Sequence, residues 1–314
     1  METMKAVRIH KYGGPEVLVY EDAPKPKPGK DDILVRVHSA GVNPVDWKIR
    51  EGHFKLLLRY KFPLILGWDF SGVVEEIGSN VSKFKPGDEV FSRPDIAREG
   101  AYAEYIAAKA DEVAYKPKSI DHVHAAAVPL AGLTAWQSLF DAAKLSSGQK
   151  VLIHAAAGGV GHFAVQFAKW KGAHVIGTAS GRNAEFLRSL GGDEFIDYTK
   201  ERFEEKVKDI DVVFDTMGGE IMERSIGVLR KGGTLVSILE PLSRIKGLLK
   251  GRKAHFVFVQ PNAEDLEEIA ALIDDGKIKP VVENIFSLAE ARKAHDLMQS
   301  GHTRGKIVLK VKPS

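Results

Sequence analysis

The stretch VLIHAAAGGVGHFAVQFAKWKGAHVIGTAS, from Val151 to Ser180, decides the fold. An apolar run of strand character leads into a glycine-rich turn, after which a helical pattern and a second apolar run follow. The turn places Ala156, Gly158 and Gly161 at the three positions of a G-x-G-x-x-G motif, with alanine at the first. Such a turn between a strand and a helix is typical of a dinucleotide-binding βαβ unit. The stretch therefore predicts an α/β domain with a doubly wound parallel sheet.

The small residues of this turn suit the pyrophosphate of a dinucleotide. Backbone N–H groups at a helix N-terminus carry partial positive charge, and only residues without bulk let a phosphate approach them. We therefore expect Ala157, Gly158, Gly159 and Val160 to bind the cofactor, while Gly161 lets the helix pack against the strand. The alternative is a tight turn with a purely structural role.

The end of the second predicted strand indicates which dinucleotide is bound. An acidic residue would hold the ribose hydroxyls of NAD there, but this chain has Ser180, Gly181, Arg182 and Asn183. A carboxylate would repel a 2′-phosphate, whereas a guanidinium and a hydroxyl suit that dianion. Tyr198, after the third strand, is a further candidate donor. The sequence therefore predicts NADPH, although a single exposed arginine after a strand is also common.

Periodicity divides the chain into regions with two different sequence patterns. From Lys5 to about His124, short alternating runs between turn residues predict an antiparallel, barrel-like β region. Strands and helices then alternate. The predicted strands are Lys150–His154, His174–Thr178, Glu194–Asp197, Val212–Phe214 and Thr234–Ile238, and the helices include His162–Lys171, Ala184–Leu190 and Ile221–Leu229. The end of the chain predicts helices at Ala263–Asp274 and Leu288–Gln299 and strands near Val281–Ile285 and at Lys306–Val311, the last returning to the first region.

Composition excludes several classes of function. The 314 residues favour two domains, and 44% apolar and 28% charged residues are typical of a soluble globular protein. A formal net charge of +3 without long basic blocks argues against a nucleic-acid partner. The absence of cysteine excludes disulfides, thiolate nucleophiles and cysteine-ligated zinc. With no signal segment and no apolar run of about 18 residues, we expect a cytoplasmic protein without a membrane partner.

Sequence segments along almost the whole chain resemble those of a known family. In order they are GVNPVDWKIREG, PLILGWDFSGVVEEIG, VPLAGLTAW, the glycine-rich turn, DVVFDTMGG and KPVVENIFSLAEARKAHDLMQSGHTRGKIVL. Together they resemble the medium-chain dehydrogenase/reductase superfamily in its zinc-independent quinone oxidoreductase branch. They are most similar to the reductases of alkenals and enones.

The resemblance implies a bilobal architecture and no metal. A GroES-like catalytic β-barrel would comprise residues 1–124, completed by residues 262–314, and a Rossmann domain would comprise residues 125–261. Zinc-dependent relatives carry a cysteine where this chain has Asn43 and a histidine where it has Trp68. The resemblance also implies a homodimer.

Carried over by position, the resemblance implies roles for further residues. Asn43 and Thr134 would stand near the nicotinamide, and the Asn43 amide would donate to a substrate carbonyl; a turn residue before Pro44 is the alternative. Independently of the resemblance, Lys55 in the loop before PLILGWD is a second candidate donor, although most lysines in such loops are merely solvated. Asp46 is expected to accept internal hydrogen bonds. Further cofactor contacts are expected at Ile238, Glu240, Phe256, Phe258 and Lys306.

These residues predict a reductase that transfers hydride from NADPH to α,β-unsaturated carbonyls or to quinones. The protein would orient the reactants and stabilise charge on the carbonyl oxygen. Water, Tyr60 and Tyr102 remain alternative proton donors, and Phe54, Leu57, Phe62 and Trp68 form either an apolar substrate pocket or packing. The alternative function is a protein that binds NADPH without catalysis, as a sensor, RNA-binding or structural protein.

Overall fold

The computed structural model describes residues 2–242, 247–301 and 303–311. Within them the strands are β1 Thr3–Ile9, β2 Val19–Pro24, β3 Asp32–Val42, β4 Leu64–Ile65, β5 Asp69–Ile77, β6 Glu89–Ser92, β7 Tyr105–Lys109, β8 Val113–Tyr115, β9 Lys150–Ile153, β10 His174–Ala179, β11 Glu194–Asp197, β12 Ile210–Asp215, β13 Leu229–Ser237, β14 Lys253–Phe256, β15 Val282–Ser287 and β16 Lys306–Lys310. The α-helices are α1 Pro44–Arg50, α2 His122–Ala126, α3 Pro129–Trp136, α4 Gly161–Trp170, α5 Ala184–Ser189, α6 Phe203–Lys206, α7 Gly219–Val228, α8 Ala263–Asp274 and α9 Ala291–Gln299.

The chain divides into two compact units. The first comprises Met1–Leu130, Gln260–Gly276 and Pro280–Ser314, and the second comprises Ala131–Val259 and Lys277–Lys279. The boundary expected between residues 124 and 125 falls inside α2. This helix belongs to the first unit, in which His122 Nδ1 lies 2.8 Å from the Ser71 hydroxyl of β5.

The second unit has the predicted parallel sheet. Its strands lie in the order β11-β10-β9-β12-β13-β14, and every neighbouring pair is parallel. This is the strand order of a doubly wound dinucleotide-binding fold, so the α/β prediction is confirmed. The edge strand β14 lies outside the five predicted strands, because its largely exposed residues carry no apolar alternation.

The first unit is built around the long strand β3. Its larger sheet has the order β15-β16-β3-β5-β6-β8, with β7 also paired to β3, and a smaller sheet has the order β2-β1-β4. The antiparallel pairing of β16 with β3 confirms that the last strand returns to the first region. Alternate residues Ile33, Val35 and Val37 of β3 are buried in the core, as its apolar period predicts. Among the described residues, no helix combines the length and apolar character that crossing a membrane requires.

Candidate active site

The glycine-rich turn lies between the end of β9 and the first residue of α4. A Cβ at Gly161 would lie 2.3 Å from the backbone oxygen of Ala155 and 2.7 Å from Ala156 Cα, so only glycine allows this approach of helix to strand. At Gly158 a Cβ would meet the Ala155 oxygen at 3.2 Å, a much milder contact. Steric exclusion is therefore strongest at the third position of the motif.

The start of α4 can hold an anion. Its N-cap residue Val160 makes no capping hydrogen bond through its side chain, which leaves the first N–H groups of the helix without that partner. Gly158, Gly159 and Val160 are half-buried, and Ala157 is buried. The residues present thus fit a pyrophosphate, because small side chains surround an uncapped helix N-terminus.

In the turn after β10, two residues predicted to contact the adenosine phosphate are hydrogen-bonded to each other. Asn183 donates from Nδ2 to the Ser180 hydroxyl oxygen at 3.1 Å, and Asn183 N–H donates to the Ser180 carbonyl at 2.9 Å. Since the hydroxyl oxygen accepts this bond, its own hydrogen can be donated elsewhere. Arg182 is exposed on the same turn, and Tyr198 is 61% exposed after β11.

Asp197, at the end of β11, is a residue that the sequence interpretation missed. Its carboxylate accepts a hydrogen bond from the Thr199 hydroxyl at 2.6 Å, which is the main cause of its lowered pKa. A Cβ at Gly181 would lie 2.5 Å from Asp197 Oδ2, so the carboxylate packs against the turn that carries Arg182. An acidic residue at the end of a neighbouring parallel strand was the signal that could have found it.

The remaining predicted contacts of the second unit, apart from Thr134, lie near strand ends. Ile238 and Glu240 are half-buried after β13, and Glu240 accepts a hydrogen bond at 3.2 Å from the first N–H of α7. Phe256 and Phe258 are exposed at the end of β14 and just after it, and Thr134 is buried in α3. Their contacts with a cofactor stay predictions.

The first unit holds a buried polar cluster around Asn43. This residue is 1% exposed and caps α1, and its backbone N–H donates to Asp46 Oδ2 at 2.8 Å. Its side-chain nitrogen donates to Asp69 Oδ2 at 2.8 Å, and its Oδ1 accepts a hydrogen bond from Lys306 Nζ. Asn43 therefore combines the N-cap position of α1 with two side-chain contacts that the sequence did not predict.

These two contacts determine the orientation of the Asn43 amide. An ammonium group only donates and a carboxylate only accepts, so Oδ1 must face Lys306 and Nδ2 must face Asp69. The Lys306 ammonium also donates to the Val42 carbonyl at 3.3 Å and lies 3.4 Å from Asp69 Oδ2. Three acceptors of the first unit thus surround Lys306 Nζ, while its predicted cofactor contact stays a prediction.

Asp46 accepts internal hydrogen bonds, as expected. It is fully buried, and its Oδ2 accepts from Asn43 N–H and from the Tyr102 hydroxyl at 2.8 Å. Burial is the main cause that raises its pKa to about 7, and the nearby charge of Asp69 raises it further. Its Oδ1 has no hydrogen-bond partner among the residues that the structure describes.

Two candidate proton donors already donate within the first unit. The buried Tyr102 hydroxyl donates to Asp46, and burial raises the pKa of Tyr102 well above its ordinary value. The Tyr60 hydroxyl donates to the Ile96 carbonyl at 2.6 Å, and burial raises the pKa of Tyr60 as well. Proton donation by either tyrosine would first break a hydrogen bond.

The aromatic and leucine side chains proposed for a pocket separate into different environments. Trp68 is fully buried and its indole N–H donates to the Arg98 carbonyl at 3.1 Å, so it is a packing residue. Leu57 is 81% exposed and Phe62 is partly exposed, whereas Phe54 packs against the core of the unit. Lys55 is exposed in the segment between α1 and β4.

The residues at the metal position of zinc-dependent relatives do not fit zinc. The Asn43 amide is bonded to an ammonium group, and Trp68 offers no lone pair for a metal. In the described part of the chain, no group of three or more His, Cys, Asp or Glu residues is placed to hold a metal ion.

Comparison with known proteins identifies the family. Residues 29–118 match the alcohol dehydrogenase GroES-like domain, and residues 190–309 match the zinc-binding dehydrogenase family. The NADPH-dependent alkenal/one oxidoreductase, chloroplastic, of Arabidopsis thaliana is 36% identical across 98% of this chain and 79% of its own length. The chain belongs to the medium-chain dehydrogenase/reductase superfamily. The predicted resemblance is therefore confirmed.

Two further proteins are similar to this superfamily member over nearly its whole chain. The NAD(P)H oxidoreductase RTN4IP1, mitochondrial, of Danio rerio is 33% identical across 98% of this chain and 91% of its own length. The solved quinone oxidoreductase from Coxiella burnetii is 39% identical, with a TM-score of 0.94, and the match covers 99% of this chain and 100% of that one.

Proposed function

We propose that this protein is an NADPH-dependent reductase that transfers hydride to α,β-unsaturated carbonyls or quinones without a metal ion. The observation that carries the proposal is the turn before α4, where a Cβ at Gly161 would lie 2.3 Å from backbone oxygen and the helix N-terminus has no capping side chain. The names of relatives as alkenal/one and NAD(P)H oxidoreductases support the same reaction class.

In this proposal, the second unit binds the cofactor through two sets of donors. The turn Ala157–Gly161 holds the pyrophosphate, and Ser180, Arg182, Asn183 and Tyr198 hold the 2′-phosphate. NADPH supplies the hydride when it is bound. Asp197 holds the turn that carries Arg182, since its carboxylate packs against Gly181.

The first unit stabilises the charge that appears on the substrate. Asn43 Nδ2 carries two hydrogens, and Asp69 accepts one of them. We assign the second hydrogen to the carbonyl oxygen of the substrate, which becomes negative as hydride adds to the β-carbon. One well-aimed donor of this kind lowers a barrier by roughly 3–4 kcal/mol. Lys306 and Asp69 act as positioning residues, because they orient the Asn43 amide.

Water is the proposed source of the proton that completes the reduction. Tyr102 and Tyr60 donate their hydroxyl hydrogens to Asp46 and to Ile96, and burial raises the pKa of both phenols. Burial and hydrogen bonding therefore make both tyrosines weaker acids than free phenols. Lys55 is retained as a candidate second donor on its exposed segment.

The experiment that tests the proposal is NADPH oxidation with acrolein, a long-chain alkenal and 1,2-naphthoquinone. A saturated aldehyde as product identifies reduction of the C=C bond, and a quinol identifies two-electron reduction of a quinone. Tight NADPH binding without turnover of any acceptor would contradict the proposal and favour the alternative of a non-catalytic binding protein. The homodimer and the cytoplasmic location also stay proposals, testable by light scattering and by fractionation.

A further inference from the structure

Two arginines of the first unit are buried among the described residues, and their environments differ. Arg50 is 0% exposed, and it donates to the Gly13 carbonyl at 3.1 Å and to Gln299 Oε1 at 2.9 Å, while its Nη1 lies 2.9 Å from His295 Nδ1. All three of its nitrogens thus have partners within the unit. Arg50 follows the usual rule that buried charges are paired.

Arg93 departs from that rule. It is 3% exposed, it follows β6 directly, and its Nε is buried without a hydrogen-bond partner among the described residues. Arg36 also has a buried Nε without such a partner, but Arg36 is half-buried, so solvent can reach part of its side chain. Burial lowers the pKa of Arg93, because the charged guanidinium loses its hydration in the core.

The carboxylates whose charges act on Arg93 accept hydrogen bonds from other groups. Asp69 and Arg93 flank the paired residues Phe70 and Ser92 of β5 and β6, and Asp69, Asp95 and Glu112 act on Arg93 by charge through space. Asp69 Oδ1 accepts from the Leu130 N–H at 2.8 Å, and Glu112 Oε2 accepts from the Asp95 N–H at 3.0 Å. The guanidinium is thus near negative charge, yet it keeps donor capacity for a ligand.

We propose that Arg93 is a catalytic residue that binds the substrate oxygen on which negative charge develops. This inference rests on the proposed function in taking an enone or a quinone as the ligand. Hydride addition at the β-carbon moves the C=C electron pair towards the carbonyl and leaves an enolate oxygen. A proton from water then reaches the α-carbon, and the nicotinamide is left oxidised. In a quinone, the corresponding anion is the quinolate oxygen.

The surroundings of Arg93 favour a singly charged oxygen on a flat molecule. The three nearby carboxylates disfavour a phosphate dianion by repulsion. Arg93 also acts by charge on Tyr60, whose aromatic ring is half-buried. An aromatic ring near a desolvated donor suits a conjugated carbonyl compound better than a hydrated anion.

The first test compares the variants Arg93→Gln and Arg93→Lys with Arg36→Gln as the matched control. With 2-cyclohexen-1-one, kcat of Arg93→Gln should fall by about 10²–10³-fold with little change in KM, as for loss of one oxyanion donor. Arg93→Lys should recover part of the loss. The melting temperature of Arg93→Gln should change little, because the desolvation cost of Arg93 is removed together with its attraction to three carboxylates. An unchanged kcat, or a lower melting temperature in Arg93→Gln that the lysine restores without restoring kcat, would overturn the proposal.

The second test does not depend on turnover. We expect 4-nitrophenol, titrated by absorbance with the protein and NADP⁺, to remain ionised to lower pH with the wild type and Arg36→Gln than with Arg93→Gln. This result together with no reduction of any acceptor would retain the anion site and reject the reductase. Identical titrations for all three proteins, or no binding to the wild type, would reject the anion site.

Discussion

Replacement of Lys306 by methionine is the perturbation that examines the Asn43 cluster most directly. Methionine keeps an unbranched apolar side chain, but it removes the ammonium that contacts Asn43 and Asp69. Lys306 is 2% exposed and Asp69 is 0% exposed, so water cannot solvate the remaining Asp69 carboxylate unless the structure rearranges. The variant leaves a buried carboxylate without its cation.

The expected cost follows from the distance between the two charges. Lys306 Nζ and Asp69 Oδ2 are 3.4 Å apart. At an effective dielectric constant of about 20, their attraction is about 5 kcal/mol. Burial lowers the pKa of Lys306 and raises that of Asp69, which shows that desolvation opposes this attraction in both partners. Removing one partner of a buried pair typically costs about 3–5 kcal/mol, and we expect that loss in the unfolding free energy of the first unit.

Hydrogen exchange followed by mass spectrometry is the appropriate assay, because it reports opening of β3 and β16 without assuming that both units unfold together. Lys310→Met, on the same strand but only half-buried, is the matched control and should cost less than about 1 kcal/mol. Adding Asp69→Asn to Lys306→Met should recover part of the loss, because the second variant removes the uncompensated charge. A loss below about 1 kcal/mol for Lys306→Met, or no recovery in the double variant, would refute this reasoning.

Three further predictions concern the cofactor turn, the adenosine phosphate and a buried acid. Arg182→Glu should raise KM for NADPH at least about tenfold more than KM for NADH, since a carboxylate repels the 2′-phosphate; the exposed Arg188→Glu on α5 is the control, and equal effects on both cofactors would contradict the assignment. Gly161→Ala should weaken NADPH binding in calorimetry and cost about 1–3 kcal/mol of stability. The control is Gly227→Ala in α7, which has no atom within 4 Å of its added Cβ and should stabilise the helix by up to about 1 kcal/mol. Similar losses of stability in both variants would count against close packing at the turn. Asp46 has a pKa raised from its ordinary 3.8 to about 7, so the folded state holds its proton more tightly, and the resulting stability is complete below about pH 4 and is lost as pH rises to about 7. The free energy of unfolding, measured with urea, should therefore fall between pH 4 and pH 7, and Asp46→Asn should remove up to about 4 kcal/mol of this fall. The same dependence on pH in the variant and the wild type would show that Asp46 does not cause it.

Most of the second unit was predictable because its signals are local. The apolar run before the turn, the glycines and the helical period after it lie within about thirty residues, and the structure confirms the parallel sheet that they predict. The edge strand β14 was not predictable in this way, since its exposed residues lack alternation. Asp197 was missed because its relation to Gly181 depends on two strands lying side by side.

By itself, the sequence determined the α/β class, the position of the phosphate turn and the absence of cysteine ligands, since each depends on residue types and short spacings. Only the tertiary structure decided the surroundings of Asn43. Lys306 is 263 residues away from it along the chain and reaches it because β16 pairs with β3. The same holds for Arg93, whose Nε has no hydrogen-bond partner within residues 2–242, 247–301 and 303–311 because of where strands and loops place their acceptors. Strand pairing across the chain brings such groups together, and no local periodicity specifies which distant side chains will meet.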